Sequence, residues 1–244
     1  MRNMKDRWYP AKREELNKAL DEFLSQEVKL NGEVHGLIVP HAGYDYSGAI
    51  AGKAYSLLKQ TKIKKAVILG PSHYAGFYGV KAVEKASTPL GRITIPKNKF
   101  ILFECLEETP AEHSVNNQIP FLQKLGIKEI LPLVAGNITA KDAGEIAEYL
   151  AKEFSDYVFI FSTDLSHFLP YDEAVKADKK TIGIIEKLDL GNFENADACG
   201  KFALMIMGHL CKLKGWKPKL IEYKNSGDIT NDKSSVVGYA SFWF

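Results

Sequence analysis

Four short runs in this chain are apolar through their centres, with none of the polar alternation of a half-exposed strand. They are "VHGLIV" (34–39), "KKAVILG" (64–70), "IKEILPLV" (127–134) and "DYVFIFS" (156–162). Strands of that kind are buried on both faces, which happens where helices cover both sides of a mainly parallel sheet. Helix-like stretches separate them. "GAIAGKAYSLLKQ" (48–60) lies between the first two, completing a βαβ unit, and "TAKDAGEIAEYLAKEF" (139–154) lies between the last two, with Thr139 as its cap and Asp142 in its first turn. The expected fold is a single α/β domain over residues 1–244, with a mainly parallel or mixed central sheet flanked by helices.

The remaining segments fit around this frame. A charged amphipathic segment runs from Ala11 to Gln26. "GVKAVEKASTPLGRITIP" (79–96) suggests two short strands around "STPLG", with a helix near Lys97 to Glu107 that departs from simple alternation. "SVNNQIPFLQKLG" (114–126) reads as partly helical and interrupted at Pro120. Helices are expected from Tyr171 to about Leu188 and, largely buried, from Cys199 to Lys214. The chain closes on strand-like "PKLIEY" (218–223) and "SVVGYASFWF" (235–244). No repeat, low-complexity tract or linker divides it.

Charge and cysteine content narrow the function classes. With 32 basic against 30 acidic side chains, the net charge of +2 provides no field that would recruit nucleic acid or an anionic membrane. No stretch approaches the roughly 18 apolar residues of a membrane span, and the basic start lacks the apolar core of a signal peptide, so a cytoplasmic protein is expected. Cys105, Cys199 and Cys211 are too few for a disulfide framework and fit reduced thiols.

Open α/β sheets bind ligands beyond the carboxyl ends of their strands. Three of the six histidines fall there: His41 after "GLIV", His73 in "VILGPSH" and His167 in "FIFSTDLSH", each among small polar residues such as Gly43, Ser72, Asp164 and Ser166. Imidazole is the commonest ligand for zinc, copper and iron, so a shared metal site is the functional reading. The structural alternative, a hydrogen bond to a loop backbone, suits any one of these histidines better than all three. His113 in "EHSVNNQ" is either a fourth site residue or part of a helix cap. His35 and His209 read as packed residues. Cys199 stands at the expected start of a buried helix, where free N–H groups and the helix dipole favour a thiolate ligand. It also fits a small buried residue, which is the reading for Cys105 and Cys211 on their expected helices.

"PHAGYDYSG", "GPSHY", "EHSVNNQIPFL", "STDLSHF" and "ACGKFAL", in this order and spread over nearly the whole chain, resemble the Memo family, also called AmmeMemoRadiSam system protein B. The family is similar in fold to the class III extradiol dioxygenases, which cleave catechol rings with non-haem iron and oxygen. The resemblance implies a metal cleft at one edge of the sheet, held by His41, His73 and Cys199. It gives His167 the place of the dioxygenase acid/base histidine, sets Asp164 in or beside the metal shell, and gives His113 a supporting role. The dioxygenases use two histidines and a carboxylate. Cys199 in place of the carboxylate makes a softer site, so ring cleavage does not carry over with the fold and copper competes with Fe(II). The family further implies association with radical SAM and AMMECR-type proteins in microbes, and binding of phosphorylated receptor peptides in a eukaryotic relative.

Three functions follow as expectations. The leading one is Fe(II)-dependent redox chemistry, with His167 moving a proton and Tyr44 and Tyr46 as possible pocket residues in a glycine-turned loop. The second is zinc-dependent hydrolysis by a three-ligand site plus water. The third is a non-enzymatic cleft for a small molecule, peptide or phosphopeptide, weakened because Arg92 is the only arginine after residue 13. No G-x-S-x-G elbow, dinucleotide fingerprint or P-loop occurs.

Overall fold

The computed structural model describes residues 8–26, 28, 32–96, 104–106 and 112–244. In chain order, α1 (Arg13–Leu24) leads to β1 (Gly36–Val39), α2 (Tyr44–Ser56), β2 (Lys65–Pro71), β3 (Val80–Val83), a small hairpin of β4 (Ser87–Thr88) and β5 (Gly91–Arg92), and β6 (Glu104–Leu106). Next come α3 (His113–Asn116), α4 (Ile119–Lys124), β7 (Glu129–Ala135), α5 (Ala140–Glu153), β8 (Val158–Ser162) and β9 (His167–Leu169). The rest is α6 (Tyr171–Lys187), α7 (Lys201–Lys214), β10 (Lys219–Asn225), α8 (Ser226–Thr230) and β11 (Val236–Trp243).

The four apolar runs form the centre of a mixed sheet in the order β10-β11-β1-β8-β2-β7-β3-β6, with β9 hydrogen-bonded to β11. β1, β8, β2 and β7 are mutually parallel, with Ile38 opposite Phe161, Ile68 opposite Ile160 and Val67 opposite Leu131. The βαβ unit is therefore not a pair of adjacent strands, because β8 is inserted between β1 and β2. β11 and β3 run antiparallel to the outer members of this set.

Period-two alternation explains why no polar residue interrupts these strands. Ile38, Val67, Leu69, Leu131, Leu133, Phe159 and Phe161 face a core shared with α5, α6 and α7. Leu37, Val39, Ala66, Ile68, Ile130, Val158 and Ile160 face a second core under α1, α2 and α4. Each of these side chains larger than alanine contributes about 1.5–3 kcal/mol by leaving water. The cap of α5 is as expected: Thr139 Oγ1 accepts from Asp142 N at 3.2 Å, and Asp142 accepts from Thr139 N at 2.8 Å.

Three sequence expectations need correction. The helix near Lys97 to Glu107 is contradicted where it is described: residues 104–106 form β6, parallel to β3 with Cys105 opposite Ala82, so Cys105 is a strand residue. Residues 97–103 and 107 lie outside the described set. α2 begins at Tyr44 rather than Gly48, so "YDYSG" is helix and not a loop turned by its glycines. Gly48 and Gly52 instead admit α1: a Cβ on either would lie 2.6 or 2.5 Å from Phe23. Pro120, finally, sits in the first turn of α4, where its missing N–H costs nothing, and the helical break falls at Asn117 and Gln118. No helix among the described residues is long and apolar enough to cross a membrane.

Candidate metal centre

The carboxyl ends of β1, β2 and β8 open onto one polar cleft. His41 follows β1 and is buried, its backbone N–H donating to Asp164 Oδ1 at 2.8 Å. His73 follows β2. The start of α3 presses directly on that strand end, because a Cβ on Gly70 would sit 2.6 Å from Ser114 Oγ, and Ser114 donates to Pro71 O at 2.8 Å. That contact brings Glu112 and His113 to the cleft.

His41, His73 and His113 each offer a ring nitrogen, and the three nitrogens lie within 4.8 Å of one another. The ring centroids are 5.1 Å apart for His41 and His73, 5.3 Å for His41 and His113, and 4.3 Å for His73 and His113. Glu112 organises this wall. Its carboxylate accepts from His73 N at 2.8 Å and from His73 Nδ1 at 2.9 Å, and caps α3 through Ser114 N at 3.3 Å. Burial by itself would raise the Glu112 pKa, but the hydrogen bonds from His73 outweigh it and the carboxyl lies below its ordinary range. His113 is stacked on Trp8 at 4.1 Å and bonded through Nδ1 to Tyr74 Oη at 3.0 Å. Burial, then the neighbouring His41 and His73, push His113 down to about 3. Burial, then His73, likewise hold His41 well below its ordinary value. Both rings are neutral at neutral pH, as a metal ligand requires.

The opposite wall comes from β8 and the approach to α7. Gly200, the cap of α7, touches the strand end closely: a Cβ there would lie 2.6 Å from Thr163 Cβ and 2.8 Å from Ser162 O. Cys199 is thereby set with Sγ 3.3 Å from His41 Nε2, and Asp164 N donates to that sulfur at 3.3 Å. Nitrogen and sulfur ligands on one tetrahedral ion lie about 3.5 Å apart. His41 and Cys199 are spaced accordingly, so the donor set fits a borderline or soft divalent metal. The expectation of a dipole-stabilised thiolate is not met: burial, then the Asp164 charge, push the Cys199 thiol up to about 12. Asp164 is itself raised by burial, against the N–H bonds it accepts from His41 and Ala42. His167 begins β9 and acts electrostatically on both His41 and Asp164.

Of the expected ligands, His41 and His73 share a metal-capable group with His113, whereas Cys199 is outside that group and lies against His41. Asp164 touches His41 and Cys199, and His167 acts on the site electrostatically. Tyr44 does not face the cleft; it is buried and donates to Asn117 O at 2.7 Å. His35 stacks on Trp216 at 4.4 Å, and His209 is partly buried against Gly144 of α5, so both pack, as expected. Cys211 is fully buried. Ser162 and Gln118 carry parts of the site that motif reading passed over, and Glu112, which "EHSVNNQ" places ahead of a helix, carries a role that the motif does not assign it.

A family model described as Memo-like protein matches residues 5–243. The MEMO1 family protein of Thermoplasma volcanium is 33% identical over 96% of this chain and 94% of its own length. That of Thermoplasma acidophilum is 34% identical over the same shares, and that of Sulfolobus acidocaldarius is 36% identical over 85% of this chain and 81% of its own. With a match from end to end, and with the motif histidines gathered at one cleft, the chain belongs to the Memo family.

Proposed function

We propose that the protein is an Fe(II)-dependent redox protein whose metal is held by His41, His73 and Cys199. The observation that carries this reading is the imidazole group of His41, His73 and His113, whose ring nitrogens lie within 4.8 Å of one another, with Cys199 Sγ 3.3 Å from His41 Nε2. When bound, the metal supplies one-electron chemistry and open positions for oxygen or a chelating substrate. The likeness to class III extradiol dioxygenases belongs to this proposal, and so does the proton-transfer role of His167. Leu165 O lies 2.8 Å from His167 Nδ1, and a carbonyl only accepts, so Nδ1 carries the proton and Nε2 is the basic atom of the neutral ring. Glu112 orients His73, and Trp8, stacked on His113, fixes the plane of that ring.

The test is metal content after anaerobic purification, followed by exposure to oxygen. Near-stoichiometric iron, lost in His73→Ala and Cys199→Ser, with a spectral change on oxygen exposure, supports the reading. Iron-loaded protein inert to oxygen would overturn it. One observation favours a second reading: the His41, His73 and His113 group is an all-nitrogen set of the kind that holds catalytic zinc. Stoichiometric zinc that survives Cys199→Ser, with hydrolysis of a simple ester, selects that alternative.

A further inference from the structure

His41 is the only histidine of the three whose outward nitrogen faces Cys199, and its inward nitrogen meets a hydroxyl, Ser162 Oγ, at 2.9 Å. A hydroxyl can donate or accept, so this contact alone leaves the ring's tautomer open. The neighbours of Ser162 close it. Ser162 Oγ lies 2.6 Å from Ser114 O, and a backbone carbonyl can only accept, so the single Ser162 proton goes there. Gln118 Nε2 lies 3.0 Å from Pro40 O, which fixes the amide orientation, and its other N–H donates to Ser162 Oγ at 2.9 Å. Tyr55 Oη, 3.0 Å from Gln118 Oε1, completes the amide's bonding. Ser162 then has one proton given and one lone pair filled. The remaining lone pair faces His41 Nδ1, which has to donate. Turning the Ser162 proton toward His41 instead would set two lone pairs against each other at the Ser114 carbonyl.

We propose that Ser162, locked by the Ser114 carbonyl and the Gln118 amide, is a positioning residue that holds His41 as the Nδ1–H tautomer and keeps the Nε2 lone pair bare toward Cys199 and the metal. Ser162, Gln118 and Ser114 are all buried, so water does not compete for these bonds. His73 reaches the same tautomer by a different device, the Glu112 carboxylate. The centre thus combines one imidazole oriented by a charged group with one oriented by a neutral relay whose directions are all forced. Partners of this kind are typically worth about 10–100-fold in metal affinity. The metal-binding role of the relay rests on the proposed function; the tautomer does not.

The experiment reads the two separately. Nitrogen-15 NMR of histidine-labelled, metal-free protein reports the His41 tautomer, and Fe(II) affinity is measured anaerobically against a competing chelator. In the wild type we expect the Nδ1–H form. Ser162→Ala should lose that preference and weaken Fe(II) binding at least about tenfold, and Ser162→Thr, which keeps the hydroxyl, should restore both. A wild-type ring found as Nε2–H in protein that binds Fe(II) overturns the relay and leaves the metal site standing. Nδ1–H in a wild type with no affinity for any divalent metal overturns the metal reading and the relay's purpose with it. An unchanged tautomer and affinity in Ser162→Ala also overturns the proposal. The wild-type spectrum decides the tautomer even where the alanine variant does not fold.

Discussion

The two walls of the cleft are built from similar parts and reach opposite electrostatic states. Each is a strand end pressed by a helix start through a glycine, Gly70 against Ser114 on one side and Gly200 against Thr163 on the other. Each carries a buried carboxylate. Glu112, bonded by an imidazole N–H as well as backbone N–H groups, is held below its ordinary range, while Asp164, bonded by backbone N–H groups alone, is raised by burial. The hydrogen bonds from His73 outweigh burial at Glu112, whereas the backbone N–H groups of His41 and Ala42 only partly offset the deeper burial of Asp164. The first wall is set for a metal before one arrives. The second, with its neutral thiol, has to lose a proton to bind one.

The sharpest way to break this comparison is to remove the sulfur. Cys199→Ser is expected to weaken Fe(II) binding by more than about 100-fold, beyond the 10–100-fold typical of a residue that only orients a ligand. His113→Ala should stay within that smaller range. Reversed magnitudes in a chelator competition would move the third ligand to the first wall. Next, Glu112→Gln places an amide donor against the His73 N–H groups and is expected to cost about 1–3 kcal/mol in metal-free stability. Asp164→Asn, which keeps an acceptor for the same N–H groups, should change stability much less, as read by urea denaturation.

Close packing gives a third comparison. Gly200→Ala and Gly70→Ala are each expected to cost about 1–3 kcal/mol. Gly200→Ala should cost more, because its added carbon lies 2.8 Å from the fixed backbone Ser162 O, whereas at Gly70 the nearest backbone atom, Ser114 C, is 3.2 Å away. The smallest effect is in pH. Glu112 has a folded pKa below its ordinary 4.5, so its contribution is fully present above 4.5 and is lost as pH falls through the lower folded value. Asp164 has a folded pKa above its ordinary 3.8, so its contribution is present below 3.8 and is lost as pH rises through the folded value. Thermal melts of metal-free protein should therefore show Glu112→Gln flattening the acid limb and Asp164→Asn stabilising the protein on the rising side of the Asp164 titration.

Much of this architecture is legible in the chain because strand burial and strand-end histidines are local signals. "GLIV" followed by His41, and "VILGPSH", place two site residues without any tertiary information. Cys199 lies where it was expected, one residue before the Gly200 cap, yet its ionisation could not be read from that position, since burial overrides the helix end. Glu112 has its main partner 39 residues away, and Ser162 looks like any small residue closing a strand. Tyr44 is misplaced by the usual meaning of glycine: Gly43 and Gly48 flank a helix start, and the tight contact of Gly48 with Phe23 is invisible without α1. The run around Cys105 shows neighbour pairing overriding a helical pattern, as β3 takes residues 104–106 as a strand.

The insertion of β8 between β1 and β2 governs the order in which the protein can assemble. β1, α2 and β2 are contiguous in the chain, but their strands must wait, two strand spacings apart, for a partner more than eighty residues further on. The contact of Glu112 with His73 spans 39 residues, whereas His41 meets Asp164 and Cys199 across 123 and 158. Loop closure over such distances is slow. Contact separation alone therefore favours the pairing of Glu112 with His73 ahead of the closure of His41 on Cys199.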